Sequence, residues 1–372
     1  MLMIRILHSV SNMDRGGIET MLMNYYRHMD RSKVQFDFLC NKRTPGAYDE
    51  EIEKLGGKIY RMPGFNPFKY AGYVKRMRAI IEENGYGIIH VHNGPMGLYA
   101  LNAAKRSGVR CRVYHAHGAG LVKHKMVLFK YLCKVLIPFN LTHRYACGVA
   151  AAQYYYGKRV VRRRDYTFIP NAIELDRYVF NPEARQEMRL TYGLEGRHVI
   201  GHIGRFTAEK NHVLLLRIFS EMKKADPKAY LVLVGDGELK QKVQDQACAM
   251  GLKEDVLFVG SVPNAHEWYQ AFDVMVMPSL REGLPVVGVE AQTADLPCIF
   301  SDAITREIGL LEKAQFVSLA APVECWVEAI QRALEHQERG CVRDVIAARG
   351  YDVKAEAEKL QDRYIELARS VE

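Results

Sequence analysis

No apolar run long enough to span a bilayer, which takes about 18 residues or more, occurs in this 372-residue chain. Its opening, MLMIRILHSV, is too short and too soon interrupted for a signal peptide. The eight cysteines, at 40, 111, 133, 147, 248, 298, 325 and 341, include no Cys-x-x-Cys pair. A zinc ribbon and a disulfide framework are therefore not signalled, and scattered core thiols in a reducing cytosol fit better. No repeat, low-complexity tract or coiled coil is found, and no full G-x-G-x-x-G announces a dinucleotide site.

What is present is a soluble composition, 48% hydrophobic and 26% charged, over a length that favours two domains. The net charge of +9 is uneven. Residues 1–175 hold 28 Lys and Arg against 12 Asp and Glu, whereas the remainder holds 24 against 31. A basic first half suits an anionic partner, whether nucleic acid, an acidic membrane surface or a phosphorylated substrate.

Strand-like and helix-like segments alternate along both halves. "IRILHSV", "VQFDFLC", "KIYRM", "GIIHVH" and "CRVYHAH" read as strands separated by helices, among them one from Gly17 to Met29 and one over 124–137. The pattern loosens near "PNAIELDRYVFNP" and restarts with "HVIGHIG", "AYLVLVG", "DVLFVGS", "DVMVMPS" and "LPCIFS". A charged amphipathic helix is expected over Ala355–Val371. Such alternation predicts two parallel sheets covered on both faces, with ligands beyond the carboxyl ends of the strands.

Three stretches carry chemistry. In "GHIGRFTAEKNHVLLL" a strand ends at Gly204, Arg205 and Lys210 follow, and a helix starts near Asn211, an arrangement suited to phosphate. Standing alone, the segment would sooner be read as two solvated surface cations on a loop. In "LVLVGDGELK", Gly235 and Gly237 permit a tight turn or a close backbone approach. In "SLREGLPVVGVE", Glu282 lies on a loop and Glu290 in a segment that Pro285 would open as a helix but that the β-branched "VVGV" would make a strand. As a helix it would turn both carboxylates toward the mouth of the sheet and let Glu290 accept hydrogen bonds from vicinal hydroxyls. "RGG", with Gly16 and Gly17, lies between the first strand and the first helix and reads as an anion loop.

"GRFTAEKN", "LVLVGDGELK", "VLFVGSV" and "AFDVMVMPSLREGLPVVGVEAQTADLPCIFSD" follow one another in the order found in the donor-binding half of retaining glycosyltransferases of family 4. The Glu-x7-Glu signature is Glu282 to Glu290. The first half is similar more loosely, through "RGG", "IIHVHN", "HAHG" and "IPNAIELDRY", and resembles enzymes of bacterial capsular and exopolysaccharide assembly. The resemblance implies the α/β GT-B fold: two doubly wound Rossmann-like domains facing across a cleft, with a C-terminal helix crossing back to the first. Residues 1–180, joined by 355–372, would form the acceptor domain, and 190–354 the nucleotide-sugar domain.

Carried over residue by residue, the resemblance makes Arg205 and Lys210 hold the donor diphosphate, and Glu290 take the ribose hydroxyls. Glu282, with the backbone of Gly283 and Leu284, would contact donor sugar and diphosphate. Gly16 and Gly17 would let the first loop close over the phosphates, and His117 would sit beside the sugar. His115 reads as its neighbour. His90 and His92 are divided between lining the site and structural hydrogen bonding, and Asn171 falls in the linker. No Asp-x-Asp triplet occurs, so a metal-held diphosphate is not signalled, and activity with no metal and no cofactor is expected. The implied reaction moves a hexose or N-acetylhexosamine from a UDP-linked donor to a lipid-linked glycan acceptor with retention of configuration.

The basic stretches are then expected to meet an anionic membrane at the inner face of a cytoplasmic enzyme. Lys123, Lys130 and Lys134 would lie on one face of the 124–137 helix, with Met126, Phe129 and Cys133 on another; five more cations follow in "KRVVRRR". The same helix could simply cover the sheet. RNA binding lacks aromatics interleaved with the cations. The rivals are an epimerase, needing no acceptor, a phosphorylase, needing inorganic phosphate, and a non-catalytic glycosyltransferase-like binding partner, which would be expected to have lost Arg205, Lys210 or a glutamate.

Overall fold

Alternating strands and helices build two parallel sheets in the computed structural model, which describes residues 3–118, 126–335 and 338–370. The chain divides into one unit of Met1–Ala172 with Asp352–Glu372 and a second of Ile173–Tyr351. The changeover thus lies ahead of residue 180, and the returning segment begins at Asp352 rather than 355.

In the first unit the strands are β1 (Ile4–Val10), β2 (Val34–Cys40), β3 (Ile59–Arg61), β4 (Ile88–Val91), β5 (Cys111–Ala116), β6 (His143–Ala146) and β7 (Thr167–Phe168), ordered β3-β2-β1-β4-β5-β6-β7. All their pairings are parallel, and His8 of β1 lies in register with His90 of β4. Strand β2 is buried throughout although Asp37 is in it. Arg5 grips both carboxylate oxygens of Asp37, Nε to Oδ2 at 2.7 Å and a terminal nitrogen to Oδ1 at 2.5 Å, and the Tyr86 hydroxyl donates to Oδ2 at 2.6 Å. A buried carboxylate is tolerated when paired and hydrogen-bonded in this way. The C-terminal helix Val353–Arg369, capped by Asp352, buries Val353, Ala357, Leu360 and Tyr364 in the core of this unit.

The second unit repeats the plan with β8 (His198–Ile203), β9 (Ala229–Val234), β10 (Val256–Gly260), β11 (Val274–Met277), β12 (Cys298–Ser301) and β13 (Ala314–Val317), ordered β10-β9-β8-β11-β12-β13. Strand β13 and the helices Pro182–Thr191, Val323–Glu335 and Arg343–Ala348 are additions to the elements read from the sequence. In both sheets the order reverses beside the first strand, leaving a crevice at the carboxyl ends where Rossmann-type sheets bind ligands.

The "VVGV" ambiguity resolves as a helix, Val286–Thr293, opened by Pro285 in an extended conformation. Gly288 lets this helix pack tightly, since a Cβ there would lie 2.9 Å from Ile308 and 3.3 Å from the Phe300 ring. Packing of Val289 and Ala291 into the core overrides their neighbours' strand preference.

Candidate active site

Three loops of the second unit meet at the carboxyl edge of its sheet. The first, 204–211, leaves β8 through Gly204 and enters the helix His212–Ala225 through Asn211, whose left-handed φ of 56° turns the chain. Its neighbour, 235–239, packs backbone to backbone against it. Gly204 N donates to Val234 O at 3.0 Å, Phe206 N to Asp236 O at 2.9 Å, and Leu239 N to Phe206 O at 3.1 Å. A Cβ on Gly235 would stand 2.1 Å from Gly204 O, and one on Gly237 2.6 Å from Phe206 O, so the two glycines serve close backbone approach. The third loop, 278–285, is tied to the first by Leu280 N to Glu209 O at 2.7 Å and Asn211 Nδ2 to Pro278 O at 3.1 Å.

On this frame Lys210 Nζ meets Glu282 Oε1 at 2.6 Å, with side chains 17% and 16% exposed. Arg205 is exposed, and its guanidinium has no hydrogen bond or ion pair among the described residues. A paired lysine and glutamate beside a free arginine present exchangeable charge: an incoming anion can draw both cations while the carboxylate turns to hydroxyls. Gly283 and Leu284 lie on the same loop, Leu284 buried in the core.

Glu290 sits one and a half turns into its helix, half-buried rather than fully turned to the mouth of the sheet. Tyr269 donates to its Oε2 at 2.6 Å and Tyr178 to its Oε1 at 3.0 Å. Burial raises its pKa, and the two hydroxyls and the Arg177 charge oppose that rise. Each carboxylate oxygen keeps a second lone pair for a vicinal diol. Tyr178 and Tyr269 carry no motif in the sequence, because "AHEWYQAF" looks like an ordinary amphipathic helix and Tyr178 falls in the irregular segment "PNAIELDRYVFNP" well ahead of it.

The remaining expected site residues lie in the first unit. Gly16 is the N-cap of the helix Gly17–His28 and is covered by Glu19, whose Oε2 would be 2.4 Å from a Cβ there; Gly17 has open space around its Cα. Asn171 is buried near the end of this unit. His117 follows β5, partly open to solvent, and its Nε2 lies 2.8 Å from Nδ1 of His92. His92 Nε2 in turn lies 3.1 Å from Nδ1 of His8, and His90 Nδ1 lies 2.6 Å from the Tyr364 hydroxyl. Burial holds His92, His90 and His115 well below the ordinary imidazole range, and His117 and His8 down to about 3. His8 escaped the sequence reading, since it carries no motif and only the β1–β4 register brings it in.

The cationic helix differs from the expectation. It runs Val127–Leu136, and Lys123 lies outside the described residues. Phe129 packs on the core and Cys133 is buried, and the outer face is apolar: Leu128 is 80% exposed, Tyr131, Leu132, Val135 and Leu136 are exposed, and Phe139 just beyond is 70% exposed. Lys134 lies over the Tyr154 ring at 3.8 Å instead of standing free. Lys158, Arg159, Arg162, Arg163 and Arg164 are all exposed. Among the described residues no helix is long and apolar enough to cross a membrane.

Residues 185–344 match the family model described as glycosyl transferases group 1, and residues 15–177 that described as glycosyltransferase family 4. The chain is 38% identical to the putative glycosyltransferase EpsF of Bacillus subtilis, over 97% of this chain and 96% of EpsF. It is 24% identical, over 95% of this chain and 94% of the other, to the UDP-Gal:alpha-D-GlcNAc-diphosphoundecaprenol alpha-1,3-galactosyltransferase of Escherichia coli. Among solved structures, Anabaena Alr3699/HepE in complex with UDP aligns with a TM-score of 0.78 at 18% identity, covering 98% of this chain and all of the other. That identity speaks to the fold.

Proposed function

Because the chain belongs to the group 1, family 4 glycosyltransferases, with the GT-B fold and a part in polysaccharide biosynthesis, we propose that it transfers a hexose or N-acetylhexosamine from a UDP-linked donor, with retention, to a lipid-linked glycan. The observation that carries the donor reading is the Lys210–Glu282 pair with Arg205 on the same loop as Lys210, its guanidinium without a partner among the described residues. These groups stand at a sheet edge where backbone amides of the Val286–Thr293 helix also open. UDP is favoured by the nucleotide in the Anabaena neighbour and the donor in the name of the E. coli relative.

In the reaction the bond between the sugar's anomeric carbon and the diphosphate oxygen breaks as the acceptor oxygen bonds to that carbon on the same face. The departing diphosphate takes the acceptor's proton. Positive charge builds on the sugar and negative charge on the diphosphate, so Arg205 and Lys210 stabilise the transition state more than the bound donor. Glu282 accepts from sugar hydroxyls once Lys210 turns to phosphate, and Glu290 accepts from the ribose. No step is assigned to a metal on the diphosphate.

The apolar outer face of Val127–Leu136 favours a bilayer as the place of the acceptor. Exposed Leu128, Leu132 and Phe139 would enter the headgroup boundary while the exposed cations of 158–164 meet anionic lipid. Sedimentation with anionic vesicles should be lost in a Leu128→Asp/Leu132→Asp variant that keeps its thermal midpoint.

Thermal stabilisation by a nucleotide panel tests the donor reading. A shift with UDP, absent with GDP and ADP and unchanged by magnesium, is expected. No shift with any nucleotide would overturn it.

A further inference from the structure

Five imidazoles cluster toward the carboxyl ends of three adjacent strands of the first unit: His8 in β1, His90 in β4 with His92 just past its end, and His115 in β5 with His117 just past its end. Strand alternation explains their shared face, since His90 and His92, like His115 and His117, are two residues apart. Four of the five are at most 3% exposed. Such a stack is expensive unless its nitrogens find partners. His115 finds none: it is 1% exposed, and neither Nδ1 nor Nε2 has a hydrogen-bond partner among the described residues.

We propose that His92, His115 and His117 bind one zinc-class divalent transition ion, with the fourth coordination position open beside His117. The three rings each offer a nitrogen, all within 4.8 Å of one another. His92 Nδ1 and His117 Nε2 already converge at 2.8 Å. Tetrahedral zinc at ~2.0–2.1 Å from each ligand needs nitrogens roughly 3.3 Å apart, so the pair opens by about half an ångström to admit it. His115 then gains a partner for an otherwise solitary nitrogen.

The shell behind the ligands suits the same ion. If His92 ligates through Nδ1, its proton rests on Nε2, which faces His8 Nδ1 at 3.1 Å. A ligating imidazole that donates its other N–H to a fixed acceptor is oriented and made more basic. Three imidazole donors select zinc, cobalt, nickel or copper over magnesium and calcium, which take oxygen. The inner trio, His8, His90 and His92, also lies within 4.8 Å, but all three rings are buried, whereas His117 reaches solvent and gives an ion its entry. Ligation of His117 through Nε2 leaves its Nδ1–H as a donor. The site belongs to the first unit and stands independently of the diphosphate reading, which rests on the second.

The test uses the untagged full chain, stripped with chelator and titrated with Co2+ and Zn2+. One equivalent is expected, with visible cobalt bands typical of a four-coordinate site. His115→Gln should lower affinity by more than about 100-fold, beyond what losing an outer-shell partner costs, while His90→Gln retains the equivalent. Loss in His90→Gln with retention in His115→Gln would overturn this placement in favour of the inner trio. No binding, or binding indifferent to both changes, would overturn the site itself and leave a hydrogen-bonded imidazole chain. Should His115→Gln fail to fold, His117→Gln at the partly open end of the trio decides: loss of the equivalent there, with retention in His90→Gln, supports the proposal, and retention in His117→Gln overturns it.

Discussion

At the carboxyl ends of β1, β4 and β5 the first unit gathers five imidazoles, most of them buried; at the ends of β8, β9 and β11 the second unit gathers an arginine, a lysine and Glu282 on loops that reach solvent. The two sheets share the order in which the first strand lies between the second and the fourth, so topology alone does not set this chemistry. Burial does. Neutral imidazoles can be stacked in a closed space if their nitrogens are satisfied by one another or by an ion. A lysine and a carboxylate cannot, and Lys210 and Glu282 remain partly open and paired at 2.6 Å. The second unit keeps its own counterpart of the first pattern in His202, buried in β8, whose Nδ1 lies 2.8 Å from Val276 O. With His212, also buried and with its ring centroid 4.9 Å from that of His202, two imidazoles there occupy the kind of place that five occupy in the first unit. The first crevice is thus suited to soft, directional ligation and the second to anions and hydroxyls.

The largest expected effect comes from removing charge where the second unit depends on it. Lys210→Ala should lower turnover by about 100- to 1,000-fold, the range for deleting one preorganised group that meets developing charge. Its thermal midpoint should stay close to that of the wild type, because a partly exposed ion pair contributes little to stability. Turnover near the wild-type level would remove Lys210 from the reaction and dissolve the contrast between the units.

Much of this contrast was legible in the sequence, and the missing parts have identifiable causes. Local spacing placed Arg205 and Lys210 between a strand and a helix, because Gly204 and Asn211 punctuate that turn. The same kind of pattern left "VVGV" open, since four β-branched or small residues fit either element until Ile308 and Phe300 demand a glycine face against them. Partners from distant segments were invisible. Tyr178 and Glu290 are 112 positions apart, and His8 and His92 are 84 apart. Which face of Val127–Leu136 turns outward stays open in the sequence for a related reason: periodicity shows which residues share a face, but only the packing of Phe129 and the burial of Cys133 show which face is covered.

A smaller effect is expected at the hydroxyl-binding end of the second unit. Tyr269→Phe removes the 2.6 Å donor from Glu290 Oε2 and leaves the ring in place. Loss of one hydrogen bond to a charged group is worth about 1.5–3 kcal/mol. Part of that falls on folding and part on the carboxylate's orientation, so UDP affinity should drop by roughly 10-fold. Unchanged UDP affinity, measured calorimetrically, would separate the tyrosine pair from ligand binding.

The subtlest prediction concerns Glu290 itself and carries a definite sign. Its pKa is raised chiefly by burial, so in the folded chain the carboxyl keeps its proton to higher pH than in the unfolded chain. Below the ordinary glutamate range both states are protonated and the residue adds no pH dependence. As pH climbs from that range through the raised folded value, the unfolded chain ionises first, and stability falls until the folded carboxyl has ionised too. Glu290→Gln has no proton to lose at this position. The stability of the wild type relative to this variant should therefore decline across that window and level off above it, as read from denaturant midpoints at a series of pH values without nucleotide. A flat difference would mean that the two tyrosines and Arg177 fully offset the burial of Glu290. A difference rising with pH would mean that they outweigh it, making Glu290 as comfortable a charge as the solvent-reaching pair of Lys210 and Glu282.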